Sequence, residues 1–495
     1  MLYIRHEGHT LEYDVFQLLN LFIDSKDYIV TNNEDEALEI LQGSLLVCKK
    51  TEQNDHSIVQ VTLSKNQELL YSDEEQINAH MFIDDYHYRR SIKRKLLKHV
   101  YTAMSLITES KTPWGILVGV RPVKIVHEML DLGHDDSYIR NELTTEFCIR
   151  TDKVDLLLSV AYAERPTVYP IDPKSISIYV SIPFCPTRCV YCSFPSNSGK
   201  LKLKLVDSYL DTLIHELKTV GSQSTDRYVE TLYIGGGTPT TLNGEQLKRI
   251  IDTVKSYYDV SKIKEITVEA GRPDTITLEK LETLKACNVD RICINPQSMN
   301  DTTINLIGRK HTVKDIETVY AMANKVGFKT INMDLILGLP GETMNEVKNT
   351  FQWIEKFRPQ NVTVHTLALK KNSDLRHQVG NHLVTEESDM NAMLEYAAHA
   401  MKDLELYPYY MYRQKYMTGN LENVGYALKG HESIYNMQIM EEKQDIWAFG
   451  AGAVSKMCFP EEDRFERVPN VKGLEEYIER VDEMIQRKLK FVNTL

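Results

Sequence analysis

The chain has 495 residues, 42% of them hydrophobic and 26% charged, and its formal net charge is −12. This is ordinary globular composition, long enough for two or three domains. The acidic balance argues against a general nucleic-acid binder, no run of about 18 apolar residues reads as a membrane span, and Met1 to Thr10 lack the apolar region of a signal peptide.

Residues 1 to about 170 read as an α+β unit without a chemical motif. A strand candidate at Leu2 to Arg5 precedes an amphipathic helix pattern over Leu11 to Phe22, and residues 44–50 and 57–63 alternate or run apolar as strands do. Asp84 to Glu109 reads as one helix, with Ile92, Leu96, Leu97, Val100 and Met104 at helical spacing. It also carries Arg89, Arg90, Lys93, Arg94, Lys95 and Lys98. Such a face can bind RNA or an acidic ligand, but a solvated face is commoner and is the preferred reading. Arg121 and Lys124 form a second basic spot, read as an exposed turn before a helix rather than as ligand contacts. Pro166, Pro170 and Pro173 mark residues 165–175 as a linker.

Next comes Tyr179-Val-Ser-Ile-Pro-Phe-Cys185-Pro-Thr-Arg-Cys189-Val-Tyr191-Cys192-Ser-Phe194. The C-x3-C-x2-C spacing suits a loop wrapped around a [4Fe–4S] cluster, because soft thiolates hold iron–sulfur clusters and each can reach a different iron. Three ligands leave one iron open to a small molecule. A structural zinc site normally closes with four ligands, and no second Cys/His pair stands at zinc-finger spacing. A disulfide is disfavoured because the chain has no secretory character. Cys48, Cys148, Cys287, Cys293 and Cys458 are scattered singly and read as inert core thiols. Reduced cysteines beside a cluster point to the cytoplasm.

From Ser175 the pattern alternates between strands and helices, with strands expected near 176–182, 229–235, 263–270, 290–295, 329–337 and 361–367. Helical patterns fill 201–220, 244–257, 313–326 and 342–357. Such alternation implies a parallel sheet covered by helices. The spacing alone allows a doubly wound sheet or an incomplete barrel, and in both the chemistry belongs at the C-terminal strand ends. Tyr233-Ile-Gly-Gly236-Gly237-Thr238-Pro ends the second strand, where glycines permit close backbone approach. Glu269 ends the third strand, Gln297 follows the fourth, Arg309 comes twelve residues later, and Ala368 ends the sixth. Asp334 lies inside an apolar strand, where an unpaired carboxylate is costly, and Arg309 is its candidate structural partner.

After the sixth strand, Tyr407-Pro-Tyr-Tyr-Met-Tyr-Arg413-Gln-Lys415-Tyr416 either clasps a flat polycarboxylated molecule or packs as an amphipathic interface. A glycine loop, Phe449-Gly-Ala-Gly-Ala453, and a helical tail over 474–488 complete the chain.

The cysteine motif, preceded by Tyr-x-Ser-Ile-Pro-Phe and followed by Ser-Phe, resembles the radical S-adenosylmethionine (SAM) superfamily. Within it the chain is similar to the oxygen-independent coproporphyrinogen III dehydrogenase (oxidase) family, in a variant with a long N-terminal extension. The resemblance spans roughly residues 175 to 460. It implies an α/β fold: a partial (β/α)6 barrel at 171–370, an N-terminal α+β domain at 1–170 and a mainly helical, substrate-covering domain at 371–495. It implies a [4Fe–4S] cluster on Cys185, Cys189 and Cys192 with SAM at the open iron. By the same resemblance Gly236, Gly237 and Thr238 hold the methionine part of SAM, and Glu269 meets its ribose or amino-acid group. Gln297, Arg309, Asp334 and Ala368 match further cofactor contacts, and Tyr179 and Tyr191 pack against cofactor.

The implied reaction is radical hydrogen abstraction from two propionates of coproporphyrinogen III, with loss of CO2 and one electron from each, giving protoporphyrinogen IX. The implied partners are a tetrapyrrole, coproporphyrinogen III or haem, and an electron donor such as flavodoxin or ferredoxin. The match has departures. The dehydrogenases commonly carry a fourth cysteine where this chain has Phe194, and histidine where it has Ser181. Cys-x-Tyr-Cys-x-Phe is shared with relatives that carry or methylate haem. The carriers tend to show His-Asn-x-x-Tyr-Trp, where this chain has Glu422-Asn423-Val-Gly-Tyr426-Ala427. A haem-trafficking protein and a radical SAM methyltransferase acting on haem therefore stay open beside the dehydrogenase.

Overall fold

A computed structural model of the chain describes residues 1–31, 43–119, 121–194, 197, 198, 202, 204–224, 226–368, 373, 375, 387–413, 420–462 and 464–492. They form two compact units, Met1–Leu158 and Ser159–Leu495.

The first unit is α+β. Its elements are β1 (Leu2–Glu7), α1 (Glu12–Leu19), β2 (Tyr28–Val30), β3 (Ser44–Glu52), β4 (His56–Lys65), β5 (Glu68–Asn78), α2 (Asp85–Thr108), α3 (Val123–Asp131) and α4 (Asp136–Thr145). The sheet order is β2-β1-β3-β4-β5. The buried stripe Ile92, Leu96, Leu97, Val100 and Met104 faces α2 inward, where it packs on β4 and β5. The Asp84 side chain accepts from the His87 amide and caps the start of α2.

The basic face of α2 is taken up by carboxylates of the same unit. Arg89 pairs with Asp85, Arg90 with Glu128, Lys93 with Asp14 and Arg94 with Glu142. Lys95 bridges Glu75 and Glu146, and Lys98 also reaches Glu146. This is a paired face rather than a free electropositive one. The turn carrying Arg121 leads into α3, as expected, with Pro122 just ahead of the helix.

The Pro-rich stretch read as a linker is partly helical. Helix α5 (Thr151–Val168) carries Pro166 in its last turn, and the two units divide within this helix.

The second unit alternates as the sequence implies: β6 (Ser175–Ile182), α6 (Val206–Gly221), β7 (Tyr228–Gly236), α7 (Gly244–Tyr257), β8 (Glu265–Glu269), α8 (Leu278–Ala286), β9 (Arg291–Cys293), α9 (Asp301–Leu306), α10 (Val313–Val326), β10 (Thr330–Leu337), α11 (Met344–Phe357) and β11 (Asn361–Thr366). Strands β6 to β11 are successive parallel neighbours, the open six-stranded arrangement of a partial barrel. Helix starts are fixed by capping boxes, Asn243 with Gln246, Thr312 with Asp315 and Thr343 with Glu346.

The C-terminal part lies in this same unit and adds strands as well as helices. It comprises α12 (Glu387–Asp403), β12 (Tyr407–Tyr412), β13 (Asn423–Ala427), α13 (Ile434–Glu441), β14 (Asp445–Phe449), β15 (Val454–Phe459), β16 (Arg464–Pro469) and α14 (Leu474–Val492). β13 pairs antiparallel with β11, and β14 pairs parallel with β6, so these strands extend the sheet at both edges.

Candidate functional site

Parallel strands present all their C-terminal ends to one face, so the loops after β6 to β11 meet there. They surround a cavity of about 590 Å³. Every residue expected to hold the cluster or SAM lines it: Tyr179, Cys185, Cys189, Tyr191, Cys192, Gly236, Gly237, Thr238, Glu269, Gln297, Arg309, Asp334 and Ala368.

The cysteine loop is braced against the glycine loop. The amides of Gly237 and Thr238 donate to Ile182 O at 2.8 Å and Phe184 O at 2.7 Å. A Cβ on Gly237 would lie 2.6 Å from Phe184 O and 3.0 Å from Cys185 Sγ. Glycine is therefore needed here for the two loops to approach, a packing role that the expected ligand-cradling role did not anticipate. Thr238 Oγ1 donates to Cys185 Sγ at 3.5 Å, and Arg272 Nη1 donates to Cys189 Sγ at 3.6 Å. Cys185 and Cys189 are buried and Cys192 half-buried. Burial pushes the free thiols of Cys185 and Cys192 up, and the neighbouring cysteines add to the shift.

This donor set fits an iron–sulfur cluster. Its three soft thiolates stand together on the cavity lining and suit iron, and metal binding keeps them deprotonated despite burial.

The polar groups around the cavity are held by the scaffold. Tyr233 donates to Glu269 Oε1 at 2.6 Å. Burial pushes the Glu269 carboxyl up to about 7, and the Asp334 charge adds to the rise, against hydrogen bonds from Tyr233 and Gly236. Burial also raises Asp334, but hydrogen bonding and charge from His365, with Asn332 and Thr363, outweigh it and leave the carboxyl below its ordinary value. Asn332 Nδ2 donates to Asp334 at 2.8 Å, and His365 Nε2 lies 3.9 Å from it.

The alternative pairing of Asp334 with Arg309 is not formed. Arg309 instead donates to Gly271 O, Asn295 O and Tyr191 OH, so it clamps the cysteine loop to two strand ends. Its Nε has no hydrogen-bond partner among the described residues. Gln297 sits at φ +68°, a strained left-handed conformation, fixed by its amide donating to Asp334 O and its carbonyl accepting from Ile336 N, both at 2.9 Å.

Tyrosines form one wall. Tyr233 and Tyr435 stack at 4.4 Å, with Tyr179 6.1 Å from each. The tyrosine-rich stretch expected to bind or to pack does line the cavity, through Tyr409, Tyr410 and Tyr412 of β12. Tyr412 OH lies 3.0 Å from His365 Nδ1. The Tyr410 ring crosses β13 at Gly425, where a Cβ would come within 1.8 Å of it. Arg413 is buried away from the cavity and donates to Asn420 O; Lys415 and Tyr416 lie outside the described residues.

The radical SAM superfamily model matches residues 179–354. The oxygen-independent coproporphyrinogen-III oxidase-like protein HemZ of Bacillus subtilis strain 168 is 40% identical over 388 residues, covering 77% of each chain. The chain belongs to the radical SAM family of oxygen-independent coproporphyrinogen-III oxidase-like proteins. Membership brings a [4Fe–4S] cluster and SAM as cofactors. The family also reaches the heme chaperone HemW of Bacillus subtilis, 31% identical over 281 residues, 56% of this chain and 70% of that one. The solved coproporphyrinogen III oxidase HemN of Escherichia coli, a radical SAM enzyme, shares the fold at a TM-score of 0.54 and 23% identity, over 67% of this chain and 78% of that chain.

Several residues of this family member's cavity escape sequence reasoning. Arg272 follows Glu269 by three residues, and Asn295 precedes Gln297 by two, so both motifs held a signal. His365 occupies a cavity-lining position of β11. Tyr435 arrives on α13 from far along the chain, and no local pattern marks it. Cys293, read as an inert core thiol, is buried but also lines the cavity. No helix among the described residues is long and apolar enough to cross a membrane.

Proposed function

We propose that the chain is a radical SAM oxidoreductase of haem biosynthesis that converts coproporphyrinogen III to protoporphyrinogen IX. Cys185, Cys189 and Cys192 are its cluster ligands, and a small redox protein such as flavodoxin or ferredoxin supplies electrons. The observation that carries this reading is the convergence of the expected cluster and SAM residues on one cavity at the strand ends.

When bound, the cluster and SAM supply one-electron chemistry that abstracts hydrogen from carbon. The chain's own residues bind and orient. Glu269, as carboxylate, accepts from cofactor hydroxyl or ammonium groups, while Tyr233 holds its orientation. Arg309 fixes the cysteine loop, and its Nε, without a partner among the described residues, is a donor for a carboxylate. Asp334 is held ionised by Asn332 and His365 for a second cofactor contact. The tyrosines of β12 and α13 form an apolar, water-excluding wall for a flat macrocycle, so the C-terminal part covers the substrate.

A haem-carrier role is the second reading, favoured by the likeness to HemW. Against it, the position where carriers tend to have histidine holds buried Glu422, which offers no imidazole to a haem iron. Anaerobic incubation of cluster-loaded protein with SAM, a reductant and coproporphyrinogen III, read by mass spectrometry, tests the proposal. Loss of two CO2 per tetrapyrrole, abolished by Cys189→Ala, supports it. Cleavage of SAM with the tetrapyrrole intact contradicts it and turns attention to haem as substrate. A stable haem complex without SAM cleavage supports the carrier.

A further inference from the structure

We infer that Arg272 and Thr238 set the reduction potential of the cluster by donating hydrogen bonds to the sulfurs of Cys189 and Cys185. The inference rests on the cluster assignment above. It assigns Arg272 a positioning role toward the cluster sulfurs rather than toward SAM or substrate.

Three observations carry it. First, the two donors reach two different cysteines: Arg272 Nη1 lies 3.6 Å from Cys189 Sγ, and Thr238 Oγ1 lies 3.5 Å from Cys185 Sγ. Second, Arg272 is immobilised. It is 3% exposed; its Nε and Nη2 donate to Asp274 at 3.1 and 3.2 Å, and its Nη1 and Nη2 to Thr187 O and Oγ1 at 3.3 and 3.0 Å. Third, the donors come from the ends of neighbouring strands β7 and β8, so the barrel fixes them and the cysteine loop is laid over them.

The physical effect has a definite sign. Reduction adds negative charge to the cluster, and part of it spreads onto the thiolate sulfurs. A donor aimed at a sulfur stabilises that charge and raises the potential. In a buried site a charged donor acts more strongly than a neutral one. Arg272 should therefore outweigh Thr238, although Asp274 neutralises part of its charge. A donor that only braced the loop would leave the potential unchanged, which makes the potential the discriminating readout.

The test is an anaerobic redox titration of the cluster-loaded full chain without SAM, followed by electron paramagnetic resonance, with iron and sulfide counted in each sample. Arg272→Met should lower the reduced-to-oxidised ratio at fixed potential about tenfold, equal to 59 mV for one electron. Arg272→Lys should restore part of this, and Thr238→Val should lower the ratio about threefold. Unchanged ratios in Arg272→Met and Thr238→Val, at wild-type iron and sulfide content, overturn the inference while leaving the cluster assignment intact. A wild-type chain that takes up no cluster overturns both. Should Arg272→Met lose iron, Thr238→Val decides alone, by the same two outcomes.

Discussion

Beneath α14, Lys488 meets Glu216 at 2.7 Å with side chains 1% and 0% exposed. Asn470 joins Lys488 on one carboxylate oxygen, and Tyr477 OH and the Gly450 amide donate to the other. At the cavity, Glu269 is half-buried: loss of solvent raises its carboxyl to about 7, the Asp334 charge adds to the rise, and hydrogen bonds from Tyr233 and Gly236 only partly offset it. Arg309 likewise keeps an Nε without a hydrogen-bond partner among the described residues. The contrast separates two uses of buried charge. A charge given a full set of partners joins distant segments of chain, here residues 216 and 488. A charge left partly satisfied beside a cavity costs stability and is the mark of a binding group.

The contrast breaks most sharply at Lys488. Lys488→Met strands Glu216 as a buried, unpaired carboxylate and should cost roughly 3–5 kcal/mol in urea unfolding at pH 7. Adding Glu216→Leu should recover most of that loss, since an apolar pair of similar volume is often neutral. A loss under about 1 kcal/mol for the single variant would place the pair with exposed ion pairs.

Glu269→Gln should act in the opposite direction. A carboxyl whose folded pKa is raised binds its proton more tightly when folded than unfolded. Stability is then fullest below the unfolded value and is lost as pH rises from about 4.5 to about 7. In the absence of SAM, the variant should remove this decline and be roughly 1–3 kcal/mol more stable at pH 8. It should also bind SAM more weakly and lose the tightening of affinity expected of the wild type as pH rises through about 7. Urea titrations and calorimetry across pH 5 to 8 check both, and a destabilised variant with unchanged SAM affinity would assign Glu269 to the structural class.

Much of this was legible because parallel strands convert sequence order into a shared face. Residues at the C-terminal ends of parallel strands must meet, so strand position brought Glu269, Gln297 and Ala368 to one cavity, while the family resemblance picked out these residues and Asp334 inside β10. Helix boundaries at Gly244–Tyr257 and Val313–Val326 were legible because Asn243 and Thr312 cap them locally. What escaped is non-local. β5 carries an exposed, acidic face without alternation and is a strand because β4 supplies its hydrogen bonds. β13 joins β11 and β14 joins β6, sheet edges formed earlier in the chain, and β12, β15 and β16 add to them. The partner of Asp334 depended on which strand lies beside β10: β11 brings His365, while Arg309 sits on a loop turned toward the cysteines.

The smallest expected effect lies in the first unit, on the basic face of α2. Lys93→Ala should cost no more than about 1 kcal/mol, because its pair with Asp14 is partly solvent-exposed. The intact chain should show no salt-resistant retention on immobilised RNA. Retention lost in a Lys93/Arg94/Lys98 alanine variant would reverse the assignment of this face.

The most direct test of the account asks whether the cavity holds a cluster with one iron open to SAM. The measurement is the electron paramagnetic resonance spectrum of the reduced, reconstituted full chain before and after addition of SAM. The account predicts a cluster signal that changes on SAM addition, and no cluster in Cys185→Ala, Cys189→Ala or Cys192→Ala. A cluster signal indifferent to saturating SAM, or one that survives loss of any of these cysteines, would contradict it.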